Sequence, residues 1–237
     1  MAQGAESAGK SAVGGLSPGK TWWPGVLLGV GVSCHAAYQQ FKLPPILPDL
    51  LREFPHEPAI AAGFMSIYAL IGLLVSQPLG RWLQGGGSSR FHGTLARGLM
   101  IAGPLTALGC AAALLWPASA ALFLAGRGLE GLGFAICAIA GPAIAAQSAS
   151  PRDLPLVTGL LAGWIPIGQI VGAWAAWAIP DWRFPWLLGL GFALALTLVG
   201  RFGAQAARST LPREMLSTRQ KRLLWLGGSI FMLWSSQ

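Results

Sequence analysis

Two charges stand inside an otherwise apolar, glycine-rich run, "AGRGLEGLGFAICAIAGP", residues 125–142: Arg127 and Glu130. Three residues apart on a helix, they lie on one face and are close enough to pair. An arginine near the centre of a bilayer is costly, so it should face protein or water rather than lipid. The carboxyl can take up a proton, whereas the guanidinium keeps its own. One reading is therefore a proton-coupling or substrate-binding pair, and the other an ion pair that locks helix packing. A second group, His35, Tyr38, Gln39 and Lys42, recurs at i, i+3, i+4 and i+7 and shares one helical face. Polar stripes in apolar helices usually face a cavity. Histidine adds a second candidate proton carrier. The alternatives are hydrogen bonding between helices and, for Lys42, snorkelling to the outer interface.

The elements that must hold these groups are membrane spans. Of 237 residues, 54% are hydrophobic and only 10% charged, against about 25% charged in soluble domains. The mean hydropathy is +0.57. Six segments are long and apolar enough to cross hydrocarbon: about 22–43, 58–82, 95–116, 119–147, 155–179 and 184–202. A seventh apolar stretch, 223–237, is too short to cross. Residues 1–21 read as a disordered tail rich in Gly, Ala and Ser, without the apolar core of a cleaved signal peptide. Residues 203–222 read as a basic linker, and "LQGGGSSRFHG", 83–93, as a flexible connector.

The net charge of +8 sits in the gaps between apolar runs, which fits membrane orientation and argues against nucleic acid as a partner. Lys10, Lys20, Arg81, Arg90, Arg97, Arg152 and the run from Arg201 to Arg222 fall on one side of six alternating spans. The opposite gaps hold only Arg52 and Arg183, among Asp49, Glu53, Glu57 and Asp181. The N-terminus and the linker are then expected in the cytoplasm. Trp22, Trp23, Trp82, Trp116, Trp182, Trp186 and Trp225 fall near span ends, as interfacial rings do, and Trp164 does not.

In the fifth span, Gly159/Gly163 and Gly168/Gly172 form two G-x-x-x-G pairs, the pattern of close helix packing. Between them, Trp164 and Gln169 are candidates for substrate contact, and Pro166 is a candidate bend. Cys34, Cys110 and Cys137 match no metal site or disulfide framework and read as small buried hydrophobes. No cofactor or metal site is expected.

"LFLAGRGLEGLGFA" (122–135) resembles the fourth-helix signature of the major facilitator superfamily. "AAQSASPRDLPLVTGLLAGWIPIGQIVGAW" (145–174) resembles that family's short loop and glycine-rich fifth helix, and "PDWRFPW" (180–186) the entry to its sixth. "YALIGLLVSQPLGRWL" (68–83) resembles the second helix leading into the cytoplasmic loop. The resemblance covers about 22–202, the N-terminal half of such a transporter. It implies an all-α polytopic fold: a six-helix bundle, a cytoplasmic linker and the start of a seventh helix. It also implies that the first and fourth helices line a cavity between two halves. The family's loop after the second helix usually carries an Asp; here "QPLGRWLQGGGSSR" has Arg81 and no Asp. The fifth helix reads "GQIVGAW" where family antiporters often have a "GPxxGG" ending, which favours uptake by symport or uniport.

The expected function is thus secondary active transport of a small solute, proton-coupled, by rocking of two halves. His35, Lys42 and Arg127 against Glu130 favour an anion. The expected partners are the solute, protons, the lipid bilayer, and a missing C-terminal half or a second copy. The expected location is a bacterial cytoplasmic (inner) membrane. Two rivals are a half-transporter inactive alone and an intramembrane enzyme. The latter lacks a second acid, a His pair or H-E-x-x-H within the spans.

Overall fold

A computed structural model describes residues 20–83 and 95–203. Within them the chain is helical, with no strand: α1 (Trp23–Phe41), a 3-10 turn (Pro44–Ile46), α2 (Leu47–Glu53), α3 (Pro58–Leu83), α4 (Leu95–Leu115), α5 (Ala120–Ser148), α6 (Leu154–Ala162), α7 (Trp164–Ala178) and α8 (Arg183–Gly203). The tail through residue 19, most of the connector, and the linker and seventh stretch from residue 204 onward lie outside the described residues.

Five runs are long and apolar enough to cross a membrane: α3, α4, α5, α6 with α7, and α8. The 19-residue α1 is not among them, because His35, Gln39 and Gln40 dilute its apolar character. It is shielded instead, packing along α5 and α7. α5 is the axis of the bundle and touches α1, α3 and α4 along its length, while α8 packs on α4.

The fifth apolar run is not one helix. α6 ends at Ala162 and α7 begins at Trp164. Pro166 has no N–H for the carbonyl of Ala162 and its ring crowds that oxygen. The chain responds one residue after Ala162: the Gly163 N–H takes the tighter bond to the Leu160 carbonyl, at 3.2 Å. The break therefore sits at Gly163, three residues before the proline.

Close approach of α1 and α5 depends on glycine. A side chain at Gly29 would begin 2.5 Å from the backbone N of Ala145 and 2.5 Å from the Gly141 carbonyl oxygen. Backbone cannot move aside as a side-chain tip can. On the same helix, a Cβ at Gly31 meets nothing within 4 Å. Gly29→Ala is therefore expected to destabilise by about 1–3 kcal/mol, as overpacking does, and Gly31→Ala to leave stability unchanged or slightly raised. Thermal unfolding of the two variants in one detergent checks this; equal midpoints would refute the close packing of α1 on α5.

The loops gather at two ends. Trp22 N–H bonds the Ser148 carbonyl at 2.8 Å, joining the start of α1 to the end of α5. There Asp153 accepts from the hydroxyls of Thr21 and Ser150, which hold its carboxyl below its usual range. At the other end, Glu53 accepts from Arg183 and from the Trp182 indole, at 2.7 Å for the indole. These bonds, Arg183 first, hold Glu53 below the usual carboxylate range. Also at that end, a ring nitrogen of His56 lies 3.0 Å from the Pro117 carbonyl oxygen. This grouping of loops matches an alternating run of helices.

Candidate functional site

α5 carries Arg127 and Glu130 into the middle of the bundle, where both are 0% exposed. Glycines make room for them. A side chain at Gly126 would begin 2.9 Å from the Gly109 carbonyl oxygen on α4, and one at Gly131 2.7 Å from the Tyr68 carbonyl oxygen on α3. The glycine-rich run around the two charges is thus a packing surface on two sides. The G-x-x-x-G pairs of the fifth span lie on α6 and α7 instead. A Cβ at Gly159 would meet nothing within 4 Å, and Gly163 forms the helix break rather than a helix contact. Gly168 and Gly172 do lie against α1, Gly168 beneath Ala37 and Tyr38, and Gly172 beneath Phe41.

Glu130 pairs with two cations rather than one. One carboxylate oxygen accepts from Arg127, and the other from Lys42 Nζ at 2.9 Å. Lys42 is fully buried, so the snorkelling expected from its place at the end of α1 does not occur. Its ammonium also reaches Gln39 Oε1 at 2.6 Å and Cys110 Sγ at 3.1 Å, and lies 3.9 Å from the centre of the Trp186 ring. Trp186 is accordingly inside the bundle, not in an interfacial belt. An indole face attracts a cation most strongly when water is excluded. Cys110, read from sequence as a small hydrophobe, is a polar neighbour of this cluster.

Arg127 is fixed by backbone. Its Nε donates to the Phe64 carbonyl at 3.1 Å and one terminal nitrogen to the Gln39 carbonyl at 3.2 Å, while its guanidinium carbon lies 4.4 Å from the Tyr68 ring centre. Gln39 donates to the Gly189 carbonyl at 2.9 Å, and the Tyr38 hydroxyl to the Pro185 carbonyl at 2.7 Å, so both tie α1 to α8. The cluster therefore draws on α1, α3, α4, α5 and α8. It comprises two cations and one carboxylate, an excess of one positive charge, closed off from solvent.

The other sequence candidates lie apart from it. His35 faces Phe192 edge-on, 6.5 Å between ring centres, and neither ring nitrogen has a hydrogen-bond partner. Trp164 stacks on Phe134 at 6.4 Å, and Gln169 is exposed on α7. The stripe on α1 thus divides: Tyr38, Gln39 and Lys42 join the interior, and His35 borders a groove. Among the described residues, no three of His, Cys, Asp and Glu converge into a group that could hold a metal.

Lys42, 88 residues from Glu130 in sequence, is the member of the ion cluster that sequence spacing did not pair. Its signal was present in the stripe, as the last polar position facing inward. Compared with known families, residues 26–236 match the family model described as Major Facilitator Superfamily. A search of curated proteins found none similar enough to match.

Proposed function

Because the chain belongs to the Major Facilitator Superfamily, whose members are membrane transporters of small molecules, we propose that it is a bundle of a proton-coupled uptake transporter for a small anion. The observation that carries this reading is the buried cluster in which Lys42 and Arg127 share Glu130. Glu130 is the one acid within the long apolar helices among the described residues. Of its two cationic partners, Arg127 sits on the same helix, α5, and Lys42 at the end of α1, so a shift of α1 against α5 frees one carboxylate oxygen for a proton. The excess positive charge favours an anion as the solute. Gln169, exposed on α7, and Trp164 near the helix break are the proposed solute contacts, facing a second six-helix bundle from further chain or a second copy. The basic gaps place the N-terminus and the end carrying Asp153 in the cytoplasm, and we assign the protein to a bacterial cytoplasmic membrane.

Full burial also favours a second reading, in which the cluster only locks the five helices together. Flux tests the proposal. Vesicles holding the reconstituted protein and a lumenal pH dye are given radiolabelled nitrate, sulfate and succinate in turn, with labelled choline and glucose as the cationic and neutral comparisons. The expected result is saturable entry of one class of anion with acidification of the lumen. Entry without proton movement would remove the coupling, and entry of cationic or neutral solutes in place of these anions would remove the charge argument.

A further inference from the structure

The ion cluster is closed at one end by the segment from Leu43 to Phe54. Proline makes this segment stiff. Pro44, Pro45 and Pro48 fix their own φ, and Pro55 restricts Phe54 before it. Its inner face, Leu43, Ile46 and Leu50, is buried in one apolar cluster with Phe123, Trp186 and Cys110. Cys110 Sγ in turn lies 3.1 Å from Lys42 Nζ. Its outer face, Asp49 and Arg52, is exposed. No long helix packs along α2. Side chains alone fasten its far end: Glu53 accepts from Arg183 and the Trp182 indole, and the Phe54 ring meets Trp182 edge-on, 5.8 Å between centres. Glu53 and Arg183 are both partly exposed, and ion pairs in contact with solvent contribute little. An open polar cavity of about 610 Å³ borders this fastening, with Asp49, Arg52 and Glu53 on one wall and Asp181, Trp182 and Arg183 on the other. Solvent therefore reaches the seam without any movement.

The segment can bend at its two ends. At the first, Lys42 and Leu43 join α1 to the 3-10 turn. At the second, residues 55–57 have no regular structure before α3 begins, and His56 is held at the Pro117 carbonyl. A stiff unit between two irregular joints, fastened by partly exposed polar contacts, opens as one body. We propose that α2 and its flanking turn form a lid over the ion cluster. Raising the lid parts Glu53 and Phe54 from Trp182 and Arg183, and water descends past Cys110 to Lys42 and Glu130. Lys42 is itself at the first joint, so the movement acts directly on one of the cations that Glu130 holds. The cluster thereby has an opening of its own within one bundle, at the end opposite Asp153. Use of this opening by protons rests on the transport reading; the opening itself does not.

The test reads the chain's own cysteines. The full chain in nanodiscs, open to solvent on both faces, is treated with a sulfonated methanethiosulfonate, and modification of each thiol is timed by peptide mass spectrometry. Cys110 lies under the lid, about 8 Å before α4 ends at Leu115. Cys137 is equally buried, but in the other core cluster, with Leu99, Ala102 and Ile136. Wild-type Cys110 is expected to react at least tenfold faster than Cys137. Glu53→Ala removes both the ion pair and the indole bond and should speed Cys110 about tenfold. Arg183→Ala removes the ion pair but spares the indole bond, and should speed it about threefold. Cys137 should not change in either variant. Hydrogen exchange in the peptide 43–54 should rise in step, while peptides of α4 and α5 hold. A Cys110 no faster in folded Glu53→Ala than in wild type would overturn the proposal. So would Cys110 and Cys137 speeding together, since that marks loosening of the whole bundle. Neither measurement involves solute flux, so failure of the lid and failure of the transport reading are told apart.

Discussion

Glu130→Ala is expected to cost most of the folded protein in the membrane, and more than removal of either of its partners. The variant leaves Lys42 and Arg127 facing each other in a fully buried space with no counter-charge. Breaking a buried pair by removing one partner typically costs about 3–5 kcal/mol, and here two cations lose the same carboxylate. Lys42→Met is milder, because Glu130 keeps Arg127 and the remaining charges cancel, while the thioether chain still fills the space beneath Trp186. Arg127→Lys retains the charge but cannot reach the carbonyls of Phe64 and Gln39 with a fixed planar fork. It should fall between the two. The measurement is the yield of monodisperse protein and its thermal midpoint, taken side by side in one detergent. Glu130→Ala at or above Lys42→Met in both would contradict the shared-carboxylate arrangement.

The sequence disclosed this cluster unevenly, for physical reasons. Arg127 and Glu130 are three residues apart, and helical geometry brings them together whatever the rest of the chain does. The third charge is set by tertiary packing. Lys42 ends α1, where a long side chain normally escapes to the interface. It turns inward because α2 and its flanking turn cover that end of the bundle, with Leu43, Ile46 and Leu50 all buried there. Trp186 misled for the same reason: its position near the start of α8 suits an interfacial ring, yet it lies over Lys42 and is fully buried. Helices cover the six apolar runs to within a few residues, since apolar length is a local property, but α1 falls short of the apolar content of a span and the fifth run is broken. The break at Gly163 needed the Pro166 ring and its missing N–H to be read together with the carbonyl four residues back. The packing glycines were the least legible. A G-x-x-x-G pair marks a small-residue surface but not the helix that fills it, so Gly159 counted equally with Gly168 although only the latter is covered.

Glu130→Gln should separate coupling from packing. The amide matches the carboxyl in size, and its oxygen can still accept from one cation. Its NH2 group, however, turns a donor toward the other, so some loss of stability is expected and activity must be normalised to folded protein. The change also fixes the side chain in a neutral form. If proton exchange at Glu130 drives accumulation, the variant in reconstituted vesicles should exchange labelled for unlabelled anion across the membrane at a rate near wild type. It should fail to concentrate the anion when an inward proton gradient is imposed, because no step of its cycle then carries a proton at this position. Exchange needs only the rocking of the solute-loaded protein, whereas accumulation requires the proton to move with it. The packing reading gives a different pair of results: fewer folded molecules, each accumulating as well as wild type. Lys42→Met supplies the control. It removes one cation and leaves the titratable carboxyl, so accumulation should persist, weakened, if Glu130 is the carrier. Full proton-driven accumulation by folded Glu130→Gln would take this carboxyl out of the coupling mechanism and leave the three charges as a lock between α1, α3, α4, α5 and α8.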